Sequence, residues 1–111
     1  MPNLFDLLAK IHERPTMYVG GTNEDRRTQL LALELLLCGY GFAIDLHGVD
    51  DRAAGVLQRI GESLRVERGW SMSCGPIAAI LKNSATGEDA WCLFWELVEK
   101  ERALLESQRT A

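Results

Sequence analysis

The run from Leu30 to Ile44 reads LLALELLLCGYGFAI, and Glu34 is its single charge. No polar stripe passes through it. A helix apolar on every side is a central one, packed by neighbours in several directions. That demand constrains the fold more than any other feature of the chain. Gly39 and Gly41 each lower helix propensity by about 1 kcal/mol. They read as places where another helix or a ligand comes close. The run is too short to span a bilayer and carries a carboxylate, so no membrane segment is expected.

The flanking text is helical as well. Residues 3–13 place Leu4, Leu7, Leu8 and Ile11 at helical spacing behind a capping Asn3. Pro15 stops that helix. Thr22 or Asn23 is expected to cap the central helix, with Glu24 and Asp25 suiting its dipole. Asp50 or Asp51 caps a third helix from Arg52 to Arg65, whose Ala53, Val56, Leu57, Ile60 and Leu64 share a face. A short fourth helix follows Gly75, with Pro76 in its first turn. The long final helix, EDAWCLFWELVEKERALLESQ, turns Ala90, Phe94, Leu97 and Val98 inward and Glu96, Glu99, Lys100 and Arg102 to water. No strand pattern or internal repeat appears. The prediction is an all-α chain, one compact domain over 1–111 of about five helices.

Charge and residue usage then exclude several functions. Of 111 residues 25% are charged, and the net charge is −4. A nucleic-acid binder needs a basic face, so none is expected. Cys38, Cys74 and Cys92 are odd in number and lack CxxC spacing, which suits neither a disulfide framework nor zinc. They read as buried or inert thiols in a reducing compartment. The first residues lack a basic signal-peptide region and carry Asp6 early, so a cytoplasmic protein is expected. His47 lies near Asp45, Asp50 and Asp51, where a turn with solvated charges explains the cluster better than a general base or a metal site. His12 ends a surface helix. No catalytic set, metal or cofactor is assigned. Glu34 needs a partner such as Arg14, Arg26 or Arg27 if it is buried.

The segment Arg14-Pro15-Thr16-Met17-Tyr18-Val19-Gly20-Gly21 interrupts the helical text. As a clasp, Pro15 ends one helix, Met17 and Tyr18 plug the core, and the glycines turn the chain. As a ligand loop, Arg14 and the amides near Gly20 and Gly21 hold an anion. Glu24 and Asp25 stand at the same helix end and oppose a phosphate. The segment resembles the RPGMYIG stretch of ATP-binding subunits of type II topoisomerases. That resemblance covers these residues alone, and the further motifs of that nucleotide-binding fold are missing, so ATP hydrolysis is rejected.

A resemblance over most of the chain runs through Arg14 to Gly20, then LLLCGYGFAID with Gly39 and Tyr40, then RGWSMSCGP with Trp70, then AAILKNSATGEDAWCLFWELVEK. In this order the pieces are similar to a family of small bacterial helical proteins with an RPxMYxG loop and a GY-ended Leu-rich helix. Thr16 departs from its usual glycine. Members are often associated with antibacterial toxin systems, so the resemblance implies an immunity protein that binds a cognate secreted toxin and covers its active site.

The contact region expected for that role is Asp50, Asp51, Arg52, Arg59, Glu62, Trp70, Ser71, Met72 and Ser73. Tryptophan is over-represented among interface hot spots, and loop acids steer a basic partner. Trp91 and Trp95, four apart on the last helix, read as core or partner face, core being favoured for Trp91. The alternatives are a small-ligand or nucleotide-binding regulatory domain using Arg14–Gly21, and an oligomerisation module built on the final helix.

Overall fold

A helix leaves its first backbone N–H groups without partners, and the chain accounts for these at its first helix, α1 (Leu4–Glu13). Asn3 Oδ1 accepts from Phe5 N at 2.9 Å, Asn3 O accepts from Asp6 N at 3.1 Å, and Asp6 returns a carboxylate oxygen to Asn3 N at 2.7 Å. This is a capping box. The remaining donor, Leu4 N, reaches Asp51 Oδ2 at 3.1 Å. Leu4, Phe5, Leu8 and Ile11 form the buried face. Arg14 N closes the helix on Lys10 O at 3.0 Å, and Pro15 opens a one-turn helix, α2 (Pro15–Val19).

The computed structural model describes residues 3–110. They are all-α, with six helices, five of them of seven residues or more. Contacts gather in two compact units, Met1–Gly55 and Val56–Ala111.

In the first unit, α3 (Arg26–His47) extends the apolar run at both ends. Its cap is Asp25, whose Oδ1 accepts from Thr28 N at 3.1 Å. The predicted caps do other work: Asn23 Oδ1 accepts from the side chains of Arg26 and Gln29, each at 3.2 Å, and Thr22 O accepts from Asp25 N at 3.0 Å. Gly48, at φ 65°, ends the helix in the left-handed conformation that glycine adopts without strain. Leu30, Leu33 and Leu37 are buried. α3 packs on α2 and on a 3-10 turn, Arg52–Gly55, which also meets α1.

In the second unit, α4 (Val56–Arg68), α5 (Pro76–Lys82) and α6 (Gly87–Thr110) pack on one another. Val56, Ile60, Leu64, Ile77, Ile80, Ala90 and Phe94 are almost fully enclosed, and Trp91 and Trp95 are buried too. Trp95 meets Trp91 and Phe94 edge-on, with centroids 5.5 and 5.1 Å apart, a preferred aromatic geometry. Asn83 Nδ2 and Ser84 Oγ cap the carbonyls of Ala79 and Ile80 at 2.8 and 2.6 Å. Thr86 Oγ1 accepts from Asp89 N at 3.1 Å where α6 begins.

The close helix approach lies here, at Gly61. A Cβ on it would stand 2.9 Å from Pro76 Cγ and 3.5 Å from Met72 Sδ. Gly39 and Gly41, predicted to admit a neighbour, face open space within this chain.

Candidate functional site

The Arg14–Gly21 segment is a clasp, but its plug differs from the expected one. Pro15 is buried and Val19, one turn on, is half-buried. Met17 and Tyr18 point away, 70% and 38% exposed. A single helical turn has one inner side, and Pro15 and Val19 occupy it. The plug is Gln29 on α3, fully buried. Its Nε2 donates to Gly20 O and Asn23 Oδ1, both at 3.2 Å, and its Oε1 accepts from Arg26 Nη1 at 2.8 Å. Gly20 and Gly21 take φ of 71° and 67°, which lets the loop fold onto that amide. Arg14 is exposed. The nearby start of α3 already holds the Asp25 carboxylate, whose bonds from Thr28 Oγ1 and Thr28 N keep it below the usual carboxylate range.

Asp50 and Arg52 are exposed, whereas Asp51 is a structural hub. Its carboxylate accepts from Leu4 N, from Ala53 N at 3.0 Å and from the Tyr40 hydroxyl. Partial burial, then the neighbouring Asp51, push the Tyr40 phenol up to about 12. Tyr40 thereby ties the C-terminal half of α3 to the acid that also caps α1 and the 3-10 turn. Sequence spacing could show Asp51 as a cap but not its partners 11 and 47 residues away.

The other expected contact residues lie in the second unit. Trp70, Ser71 and Ser73 line a cleft of about 350 Å³ with Gly69, Cys74, Lys82 and Asn83. Arg68 lies over the Trp70 ring at 5.1 Å from its centroid, a cation–π contact. Ser73 N and Ser73 Oγ both engage Ser71 Oγ, at 3.3 and 3.1 Å, which shapes the loop. Met72 instead turns toward Gly61. Arg59 pairs with buried Glu101 at 3.5 Å, and exposed Glu62 pairs with Arg65 at 2.5 Å. The cleft therefore offers one indole, one ammonium and hydroxyls, a set suited to a polar peptide segment with an apolar anchor.

Cys38, Cys74 and Cys92 are exposed free thiols, which overturns the burial half of the expected buried or inert reading. Cys38 lies on an exposed flank of α3, and the other two lie on a loop and the water side of α6. His12 is held below its ordinary range by partial burial and by Arg26. Among the described residues no group of three His, Cys, Asp or Glu side chains is placed to hold a metal. Glu34 is half-buried and makes no ion pair among them.

One surface went unread in the sequence. Leu31, Leu35, Phe42 and Leu46 of α3 are 39%, 74%, 77% and 82% exposed. By length and composition Arg26–His47 suffices to cross a membrane, more than the Leu30–Ile44 run alone suggests, and only 17% of its most apolar window is buried. The signal was there in the second apolar stripe, at the same helical spacing as the first. Comparison with protein-family models, curated proteins and solved structures finds no match to this chain.

Proposed function

We propose that this chain is a stoichiometric binding protein, an immunity protein that neutralises a cognate bacterial toxin in the cytoplasm by covering its active site. The observation that supports the reading is the Trp70 cleft. It sets a half-buried indole, steadied by Arg68, beside Lys82 and two serine hydroxyls on one open face. Buried aromatic anchors ringed by polar groups dominate protein interfaces. The toxin inserts a segment into this cleft, and the exposed charges of α4 set the rim, where they govern encounter more than affinity.

The test is co-expression with the product of the adjacent upstream open reading frame, scored by survival and by co-purification. Rescue with a one-to-one complex is the expected result. Trp70→Ala, with its helical circular dichroism unchanged, should weaken the complex at least tenfold, the scale of a hot-spot truncation of about 1.4 kcal/mol or more. A toxic neighbour that kills despite this protein refutes the reading for that pair. Full rescue by Trp70→Ala removes the cleft as the contact.

A further inference from the structure

The Trp70 cleft has a charge of its own. Its lining carries one ionised side chain, Lys82, and no carboxylate. Yet the chain holds 16 aspartates and glutamates against 12 lysines and arginines. Elsewhere in the second unit the cations are neutralised: Arg59, Arg65, Lys100 and Arg102 each pair with a glutamate. Among the described side chains of that unit, two cations have no carboxylate beside them, and both stand at the cleft. They are Lys82 in its wall and Arg68 over the Trp70 ring.

The hydrogen-bonding groups have the same sense. An ammonium donates and cannot accept. Ser71 Oγ accepts from Ser73 N at 3.3 Å and donates to Ser73 Oγ at 3.1 Å, which leaves the Ser73 hydroxyl its own proton to give. Asn83 Nδ2 gives one proton to Ala79 O at 2.8 Å and keeps a second. That bond, with Ser84 Oγ on Ile80 O at 2.6 Å, covers carbonyls at the end of α5. Glu88 and Asp89 stand in the first turn of α6, outside the lining.

We infer that the cleft takes an acidic segment of the partner: an apolar side chain against Trp70 and, beside it, an aspartate or glutamate that pairs with Lys82. This rests on the cleft being the contact of the proposed binding protein. A basic segment would meet Lys82 and Arg68 with like charge. A phosphate is less suited. Phosphate sites draw on bidentate arginine or a nest of backbone N–H groups. Here Arg68 lies on the indole, and Gly69 N, Ser73 N and Gly75 N are already bonded to Arg65 O, Ser71 Oγ and Met72 O. At about 350 Å³ the cleft is at the small end of ligand sites, the size for a short motif.

The experiment pans a phage-displayed random peptide library on the immobilised full chain and measures labelled winners by fluorescence anisotropy. Aspartate or glutamate next to leucine, isoleucine or phenylalanine should be enriched, and binding should weaken as salt rises from about 50 to 500 mM. Lys82→Ala should weaken it about fivefold, the scale of an exposed ion pair, and Trp70→Ala at least tenfold. Lys82 is exposed, so Lys82→Glu should leave helicity unchanged and turn the selection toward lysine and arginine. Neutral or basic winners on the parent chain, acidic winners indifferent to both Lys82 variants, or no enrichment over a blank support each overturn the inference. Trp70-dependent binding of adenosine monophosphate with no acidic peptide enriched also overturns it, assigning the cleft to a nucleotide. Co-expression separates the two readings. Rescue lost in Trp70→Ala but intact in Lys82→Glu removes the acidic segment and keeps the immunity reading; acidic winners without rescue do the reverse.

Discussion

Replacing Asp51 by alanine should destabilise the first unit by about 3–4 kcal/mol. The figure comes from three lost bonds. Loss of the Ala53 N–H acceptor is a helix-cap deletion costing about 1 kcal/mol. Leu4 is 1% exposed, so its N–H would be stranded at the buried start of α1, for about 1–2 kcal/mol. The Tyr40 hydroxyl loses its carboxylate but stays half-buried and within reach of water, for about 1 kcal/mol. Asp51→Asn should cost less, about 2 kcal/mol, because one amide oxygen still serves Ala53 while the NH₂ group meets donors. Tyr40→Phe alone should cost about 1 kcal/mol. The double variant should cost less than the sum, since both changes remove the same bond. Urea unfolding followed by far-ultraviolet dichroism measures all four values. An Asp51→Ala protein within 0.5 kcal/mol of the parent refutes the hub and returns Asp51 to the surface acids available to a partner.

Three other outcomes test the remaining geometry. Tyr18→Ala should cost no more than about 1 kcal/mol in urea unfolding, because Tyr18 is exposed; several kcal/mol, the scale of a buried aromatic truncation, would put it back in the core. Tyr18→Phe leaves Tyr40 as the sole phenol, whose absorbance at about 295 nm should rise with a midpoint of about 12. Because the folded value lies above the unfolded 10.0, the stabilisation is complete below pH 10 and is lost as pH rises through 12; a midpoint near 10 in the folded protein would show that the hydrogen bond to Asp51 is not made. Gly61→Ala should lower stability by about 1–3 kcal/mol, since the new methyl meets the rigid Pro76 ring at 2.9 Å, and a neutral result in the same unfolding assay would mean that α4 and α5 are not so closely packed.

Local rules were readable and distant ones were not. The Asn3 cap, the Pro15 stop and the inward set Ala90, Phe94, Leu97 and Val98 depend on neighbours within a turn or two, and all stand as the pattern predicts. Gln29 and Gly61 escaped notice because their meaning lies in contacts from Gly20 and Pro76. Met17 and Tyr18 misled for a related reason. Residue type suggests burial, but the facing of a one-turn helix is fixed by what its ends attach to. That Trp70 lies in a loop was legible; that Lys82 and Asn83 share its cleft was not.

The central helix shows why such a reading can be right in pattern and wrong in meaning. Apolarity on every side says only that each side is to be kept from water. It does not say by what. On α3 one stripe is met by the first unit's own Leu-rich core, while the opposite stripe keeps Leu35, Phe42 and Leu46 in solvent. Leaving three such side chains wet forgoes about 1.5–3 kcal/mol each. Exposed Arg27 and Asp45 flank the outer set, half-buried Glu34 lies between the two stripes one turn from Leu30, and half-buried Arg26 lies in line with Leu30, Leu33 and Leu37. The few charges on the helix therefore do not separate the covered stripe from the open one; the packing of α2 and the 3-10 turn on one side of α3 does.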